Sequence, residues 1–308
     1  MKKSIIFFLS LFLIVFLACS ESSSDDTTPM TDDNQGVVPE NPQQLFPANF
    51  RATGSSANDI LANTNFDRLR IQIAYVQSQR NFRPTDEAMN EFQAFLQQFT
   101  FKENIELVFT ALESPDEEDL TLQEIADLEI ENRTVYNDGT TLGIYIYFAD
   151  APSEGDDLDE GLVTLGAVYR NTSMVIYEET VRNLAGRSVL ISNADVETAT
   201  LNHEFGHLLG LVNLGSPAVN DHEDVDAENH CNVDPCLMRA QLEFGATNKS
   251  SIASTKEGRL HSSCTLDGLG LVKQMENSVS RGAAAAPDLD AECQLDLETN
   301  GGRPNTTG

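Results

Sequence analysis

Residues 203–210 read His203-Glu204-Phe205-Gly206-His207-Leu208-Leu209-Gly210. On a helix, positions i and i+4 share one face, one turn apart. Two imidazoles so placed can hold one zinc ion, and Glu204 stands beside the first of them, where a carboxylate can take a proton from water that the metal activates. Gly210 predicts a left-handed exit from the helix. Upstream, Ser192 followed three positions later by Asp195 is close to a capping box and marks the helix start. Ala199, Phe205, Leu208 and Leu209 flank the ligand face with apolar contacts. The chain has five histidines, His203, His207, His222, His230 and His261, and four of them fall within 28 positions. A buried active-site helix is the reading this pattern supports.

The sequence before that helix alternates strand and helix patterns. Residues 69–76 alternate Ile71, Ile73 and Tyr75 with more variable neighbours and read as a strand. Thr85 can cap a helix over 86–99, where Met89, Phe92, Phe95 and Leu96 recur at helical spacing. A second strand is expected at 105–110, a weaker helix at 121–130 and a third strand at 142–148. Strand, helix, strand, helix, strand implies right-handed crossovers and a mostly parallel twisted sheet. Residues 162–169 and 173–177 read as extended, with a turn at 170–172. One of them is expected to be an antiparallel edge strand bordering the cleft, and such an edge can bind an extended peptide as an added strand. Residues 263–276 are expected to form a closing helix with Leu266, Leu269, Leu271, Val272 and Met275 on its buried face, although Gly268 and Gly270 weaken it.

With these residues in view, the stretch from His203 to Gly210 resembles the first part of the metzincin zinc-metallopeptidase signature. The resemblance implies an α/β, zincin-like fold over residues 57–280, a Zn2+ cofactor, a peptide or protein substrate, and Glu204 as general base. In that clan a third histidine follows three positions after the glycine, and here Asn213 stands there. Asn is a poor zinc ligand beside imidazole, so Asn213 is expected to be structural. Two later histidines are candidates. His230 lies in His230-Cys231-Asn232-Val233-Asp234-Pro235-Cys236-Leu237-Met238, a spacing similar to the archaemetzincin segment that carries the third histidine and the methionine of the Met-turn. On that likeness His230 is the first choice and Met238 the Met-turn residue, packing beneath the ligands rather than binding metal. His222 is the alternative, with Asp221, Asp224 and Asn213 behind it. Arg239 suits a surface salt bridge as well as a substrate contact.

Lys2 and Lys3 precede an apolar run over residues 5–18, which reads as a signal peptide. It ends Leu17-Ala18-Cys19, resembling a bacterial lipobox, so cleavage before Cys19 and acylation of Cys19 are expected. The acidic run after it resembles the segment that follows the cysteine in Bacteroidetes surface lipoproteins. A lipid-anchored protein of the bacterial cell envelope follows. Residues 19–56 are polar and read as a flexible tether, and residues 281–308 as a weakly structured tail. The formal charge is −30 and becomes −32 once Lys2 and Lys3 leave, which repels nucleic acid. With Cys19 acylated, Cys231, Cys236, Cys264 and Cys293 remain, and export permits disulfides. Four cysteines allow three complete pairings; Cys231 with Cys236 would close a small loop beside the proposed zinc ligand, and Cys264 with Cys293 would tie down a late segment. Archaemetzincins place a second zinc on four cysteines, but the terminal CxxC of that pattern is absent here. The function expected is therefore a zinc endopeptidase. The alternatives are a non-catalytic, metal-stabilised binding module and a zinc amidase acting on a non-protein substrate.

Overall fold

A computed structural model describes residues 41–240 and 263–304. The signal peptide, Cys19 and most of the expected tether lie outside the described residues. The chain enters through α1 (Pro42–Leu45), a 3-10 turn at Pro47–Asn49 and α2 (Ala57–Leu61). Residues 41–56 were expected to belong to the tether, yet they pack on the domain. Asn49 is fully buried and donates to the Gly143 carbonyl at 3.0 Å, and the Arg51 amide donates to Asn171 Oδ1 at 2.8 Å. Polar residues can order a segment when each finds a buried partner, a pattern that composition does not reveal.

The expected alternation follows. It runs β1 (Arg68–Val76), α3 (Asp86–Phe99), β2 (Asn104–Leu112), α4 (Leu122–Asn132) and β3 (Thr141–Phe148). Thr85 caps α3 by accepting from the Ala88 amide, and Thr121 with Glu124 forms a capping box on α4. Next come β4 (Leu162–Arg170), β5 (Ser173–Ile176), α5 (Glu178–Ala185) and α6 (Asn193–Leu208). A small hairpin of β6 (Glu223–Asp224) and β7 (Ala227–Cys231) leads on to β8 (Ser263–Asp267), α7 (Gly268–Ser280) and α8 (Ala291–Thr299).

The sheet order is β2-β1-β3-β5-β4-β8. β2, β1, β3 and β5 are parallel, and β4 is antiparallel both to β5 and to β8. Both faces of the parallel part are covered. Ile71, Ile73, Ile144 and Ile146 join α3, α5 and α6 in one core, while Ala74, Val76, Tyr145 and Tyr147 join α4 in the other. This division follows from the period of two along a strand.

The expected antiparallel edge is present: β4 runs against β5, and β8 pairs antiparallel outside it. Two expectations are corrected. Residues 263–267 are strand rather than the first turns of a helix: Ser-Cys-Thr-Leu-Asp has no helical apolar spacing, and the helix begins only at Gly268. The tail over 281–304 is not structureless. Asp290 caps α8 by accepting from the Glu292 and Cys293 amides, and Cys293 and Leu297, one turn apart, are fully buried.

Candidate metal centres

Helix α6 starts at the expected capping box: Ser192 accepts from the Asp195 amide and Asp195 accepts from the Ser192 amide. It carries His203 and His207 into the core, 2% and 1% exposed. It ends at Gly210, φ 77°, with the Gly210 amide on the His207 carbonyl and the Leu211 amide on the Gly206 carbonyl. A Cβ at Gly210 would lie 2.9 Å from the Ala57 Cβ, so glycine answers both the left-handed turn and the close approach.

The chain then loops away and returns. Asn213 is exposed and left-handed, φ 64°. Its Nδ2 donates to Glu223 Oε2 at 2.6 Å, and the Asn229 amide donates to Glu223 Oε1 at 2.5 Å. One carboxylate thus ties the start of the excursion to the residue just before His230. With its Oδ1 accepting from the Ala218 amide as well, Asn213 closes the loop that brings His230 back. His230 packs against both helical histidines, with ring centroids 5.4 Å from His203 and 5.1 Å from His207, which are 4.9 Å from each other. One ring nitrogen from each lies within 4.8 Å of the others.

The hydrogen bonds fix which nitrogens face inward. His203 Nδ1 meets the Leu237 carbonyl at 2.8 Å and His230 Nδ1 meets the Glu228 carbonyl at 3.0 Å. A carbonyl only accepts, so Nδ1 carries the proton in each ring and Nε2 keeps its lone pair. Burial holds all three rings neutral. It lowers His203 to about 3, with His230 adding to the effect, lowers His230 to about 4, and keeps His207 well below its ordinary value. Three buried, neutral, convergent imidazoles are a donor set suited to zinc.

Two glycines shape the surroundings. A Cβ at Gly206 would lie 2.3 Å from Met238 Sδ, so the absence of a side chain between the two helical ligands seats Met238 against α6. Met238 is fully buried, as is Glu204 at 1%. A Cβ at Gly166 on β4 would lie 2.6 Å from Glu204 Cγ and 3.1 Å from its Oε1. Strand β4 therefore forms a close wall behind the Glu204 side chain. Nearby, Asp156 Oδ1 accepts from the Thr164 amide of β4 at 2.7 Å, and burial pushes its carboxyl up to about 6. Arg239 pairs with Asp234 at 2.9 Å.

A second donor set lies beside the first, on the other side of the β7 backbone. His222 is buried there, away from the three histidines. Its Nε2 meets Asp296 Oδ2 at 3.0 Å and its Nδ1 meets Cys231 Sγ at 3.3 Å. Burial alone would lower His222, but Cys231 and Asp296 raise it overall. Cys231, Cys236 and Cys293 are free thiols that converge with Asp290. Cys236 Sγ is 3.5 Å from Cys293 Sγ, and Cys231 Sγ is 3.0 Å from Asp290 Oδ2. The Cys231–Cys236 bridge is thus not made: both thiols are free and gather with Asp290 and with Cys293, which α8 contributes. Cys264 lies in β8, and its side chain, with the Cys264–Cys293 pair, falls outside the described residues. Side-chain hydrogen bonding with Cys231 and Cys293 lowers Cys236 to about 5, while hydrogen bonding with Cys231 and Cys236 raises Cys293. A low thiol pKa amid other sulfurs favours a thiolate metal ligand.

Sequence patterns did not flag Gly166, Gly206, the Leu237 carbonyl, Asp290 or Asp296. The motif did carry one usable signal for Gly206, a glycine inside a helix between two ligands, which is uncommon without a packing reason.

No protein-family model matches the chain, and no curated protein matches its sequence. Among solved structures, the chain is similar to the crystal structure of archaemetzincin (amzA) from Methanopyrus kandleri. The likeness has a TM-score of 0.41 and 11% sequence identity, and covers 76% of this chain and 96% of that one.

Proposed function

We propose that the chain is a zinc-dependent peptidase, with His203, His207 and His230 holding the metal and Glu204 acting as the base. The observation that carries the reading is the convergence of three buried imidazoles beside a buried glutamate backed by β4. A zinc ion on such ligands acidifies water and polarises a carbonyl. The chain supplies the remaining chemistry. Glu204 takes a proton as the water oxygen adds to the peptide carbonyl carbon, and returns it to the amine nitrogen as the C–N bond breaks. Burial around the carboxylate strengthens its interactions at the reacting centre. The Leu237 and Glu228 carbonyls keep the imidazoles in one tautomer and one orientation.

On the same reading the second donor set, Cys231, Cys236 and Cys293 with His222 or Asp290 completing it, holds a structural metal. Such a metal would stiffen the segment that presents His230 and Met238. The apolar run before Cys19 and its lipobox-like end support anchoring of the protein to the bacterial cell envelope through an acylated Cys19. Intact-mass analysis of the mature protein tests this: a lipid-modified Cys19 supports anchoring and an unmodified N-terminus elsewhere rejects it.

The catalytic reading is tested with Glu204→Gln on substrates found by peptide-library screening. Zinc content stays at the wild-type level and turnover falls by roughly 10²–10⁴-fold, the usual contribution of general acid–base catalysis. Wild-type-like cleavage by Glu204→Gln rejects Glu204 as the base. Zinc binding without cleavage of any library member by the wild-type protein favours a metal-stabilised binding module.

A further inference from the structure

Strand β4 carries Gly166, the residue against Glu204, and its outer side is not open. β8 runs antiparallel along it, with Leu162 opposite Asp267, Val163 opposite Leu266, Thr164 opposite Thr265 and Ala167 opposite Ser263. From Thr164 to Ala167, β4 advances three residues while β8 advances two, so the shift in register is a bulge at Leu165 and Gly166. Bulges beside a site re-aim the strand that carries them, and this one sits where β4 meets Glu204. Paired strands lie about 4.8 Å apart, so the backbone of residues 263–265 passes about one strand spacing from Gly166.

An extended peptide binds a sheet by adding a strand to an open edge, using main-chain hydrogen bonds for affinity. The edge beside Glu204 is already used in that way by the chain itself. We infer that β8 is an autoinhibitory strand: residues 263–267 occupy the edge of β4 that an extended peptide substrate needs, and the substrate must displace them. The inference rests on the peptidase reading and adds the mode of substrate binding and its control.

The exchange is backbone for backbone, so a peptide regains along β4 about the hydrogen bonds that β8 gives up. What opposes it is tethering. An intramolecular segment competes at an effective concentration in the millimolar range for a short connection. β8 is tethered closely at its C-terminal end, where α7 begins at once. Leu271, Val272 and Met275 of α7 are buried, and Ser188 Oγ donates to Glu276 Oε1 at 2.5 Å. Displacement of β8 therefore leaves α7 in place. The consequence is a raised KM for extended peptides with kcat unaffected.

Two measurements test this. In the first, the zinc-loaded Glu204→Gln protein is mixed with excess β-casein, an unfolded protein offering many extended segments, and hydrogen exchange is mapped by mass spectrometry. The amides of residues 263–267 are expected to exchange at least about tenfold faster, while those of α7 stay protected. In the second, Thr265→Pro and Leu266→Pro each remove a strand donor. The variant whose lost N–H faces β4 is expected to show KM for a quenched peptide library lowered at least about tenfold, with wild-type zinc content. If neither Pro variant folds, the exchange experiment decides alone. Unchanged exchange at 263–267 together with unchanged KM overturns the strand's role while leaving cleavage, and so the peptidase reading, intact. Faster exchange with no cleavage by any variant shows that peptide displaces β8 from β4 but rejects the peptidase reading, and with it the autoinhibitory role.

Discussion

Gly166→Ala is the most informative single substitution, because it moves the proposed base without altering its chemistry. The added Cβ would lie 2.6 Å from Glu204 Cγ, 3.0 Å from Cδ and 3.1 Å from Oε1. Carbon atoms in contact sit about 3.5–4.0 Å apart, so the Glu204 side chain must retreat by about 1 Å. The three atoms nearest that Cβ all belong to Glu204 and none to an imidazole, so zinc content is expected to stay at the wild-type level. Overpacking of this kind costs about 1–3 kcal/mol, and for a chain of this size each kcal/mol lowers Tm by about 2–4 °C. A displacement of about 1 Å at a reacting group costs up to about 10²-fold in rate. The expected result is kcat lowered by about 10–10²-fold with KM nearly unchanged, measured beside zinc content and a melting curve on the same preparation. A kcat within about twofold of wild type, with the chain folded and zinc bound, would falsify the claim that β4 positions Glu204 for catalysis.

Met238→Ala empties a fully buried site against Gly206 and is expected to cost about 2–5 kcal/mol of stability by denaturant titration; a cost under about 1 kcal/mol would show that Met238 does not fill that space. Cys293→Ser is expected to lower bound zinc by one equivalent while leaving the His203, His207 and His230 site loaded, read by metal analysis with a thiol-specific label; unchanged stoichiometry would remove the second centre. Asp156 gives a pH signature. Its folded pKa of about 6 lies above its unfolded value, so the stability it contributes is full below about pH 4 and is lost as pH rises through 6. Partial exposure limits the effect to about 1–2 kcal/mol. Asp156→Asn, which keeps the Oδ1 acceptor for the Thr164 amide, should gain that much relative to wild type between pH 4 and pH 7. Parallel stability curves for the two proteins would contradict it.

Local signals were readable where local physics decides the outcome. The Ser192–Asp195 box, the i and i+4 histidines and the left-handed Gly210 all depend on residues within one or two turns, and so did the three parallel strands and their capped helices. Features set by distant partners were not readable. His222 and His230 lie eight residues apart on one excursion, and only its return path, tied by Glu223 to Asn213 and Asn229, sends them to different clusters. The thiol cluster needs Cys293, 57 residues beyond Cys236, and His222 needs Asp296, 74 residues away. Spacing within the short segment 231–236 pointed instead to a local bridge. β8 is five residues long and leads directly into a glycine-rich helix start, so pairing with β4 alone makes it a strand.

The central claim is that one zinc ion sits on His203, His207 and His230. A crystal of the zinc-loaded protein, with anomalous differences collected on both sides of the zinc edge, tests it most directly. The account predicts a peak about 2.0–2.1 Å from Nε2 of His203, from Nε2 of His230 and from one ring nitrogen of His207. Zinc found only among the cysteines, or on His222 with His230 turned away, would contradict it.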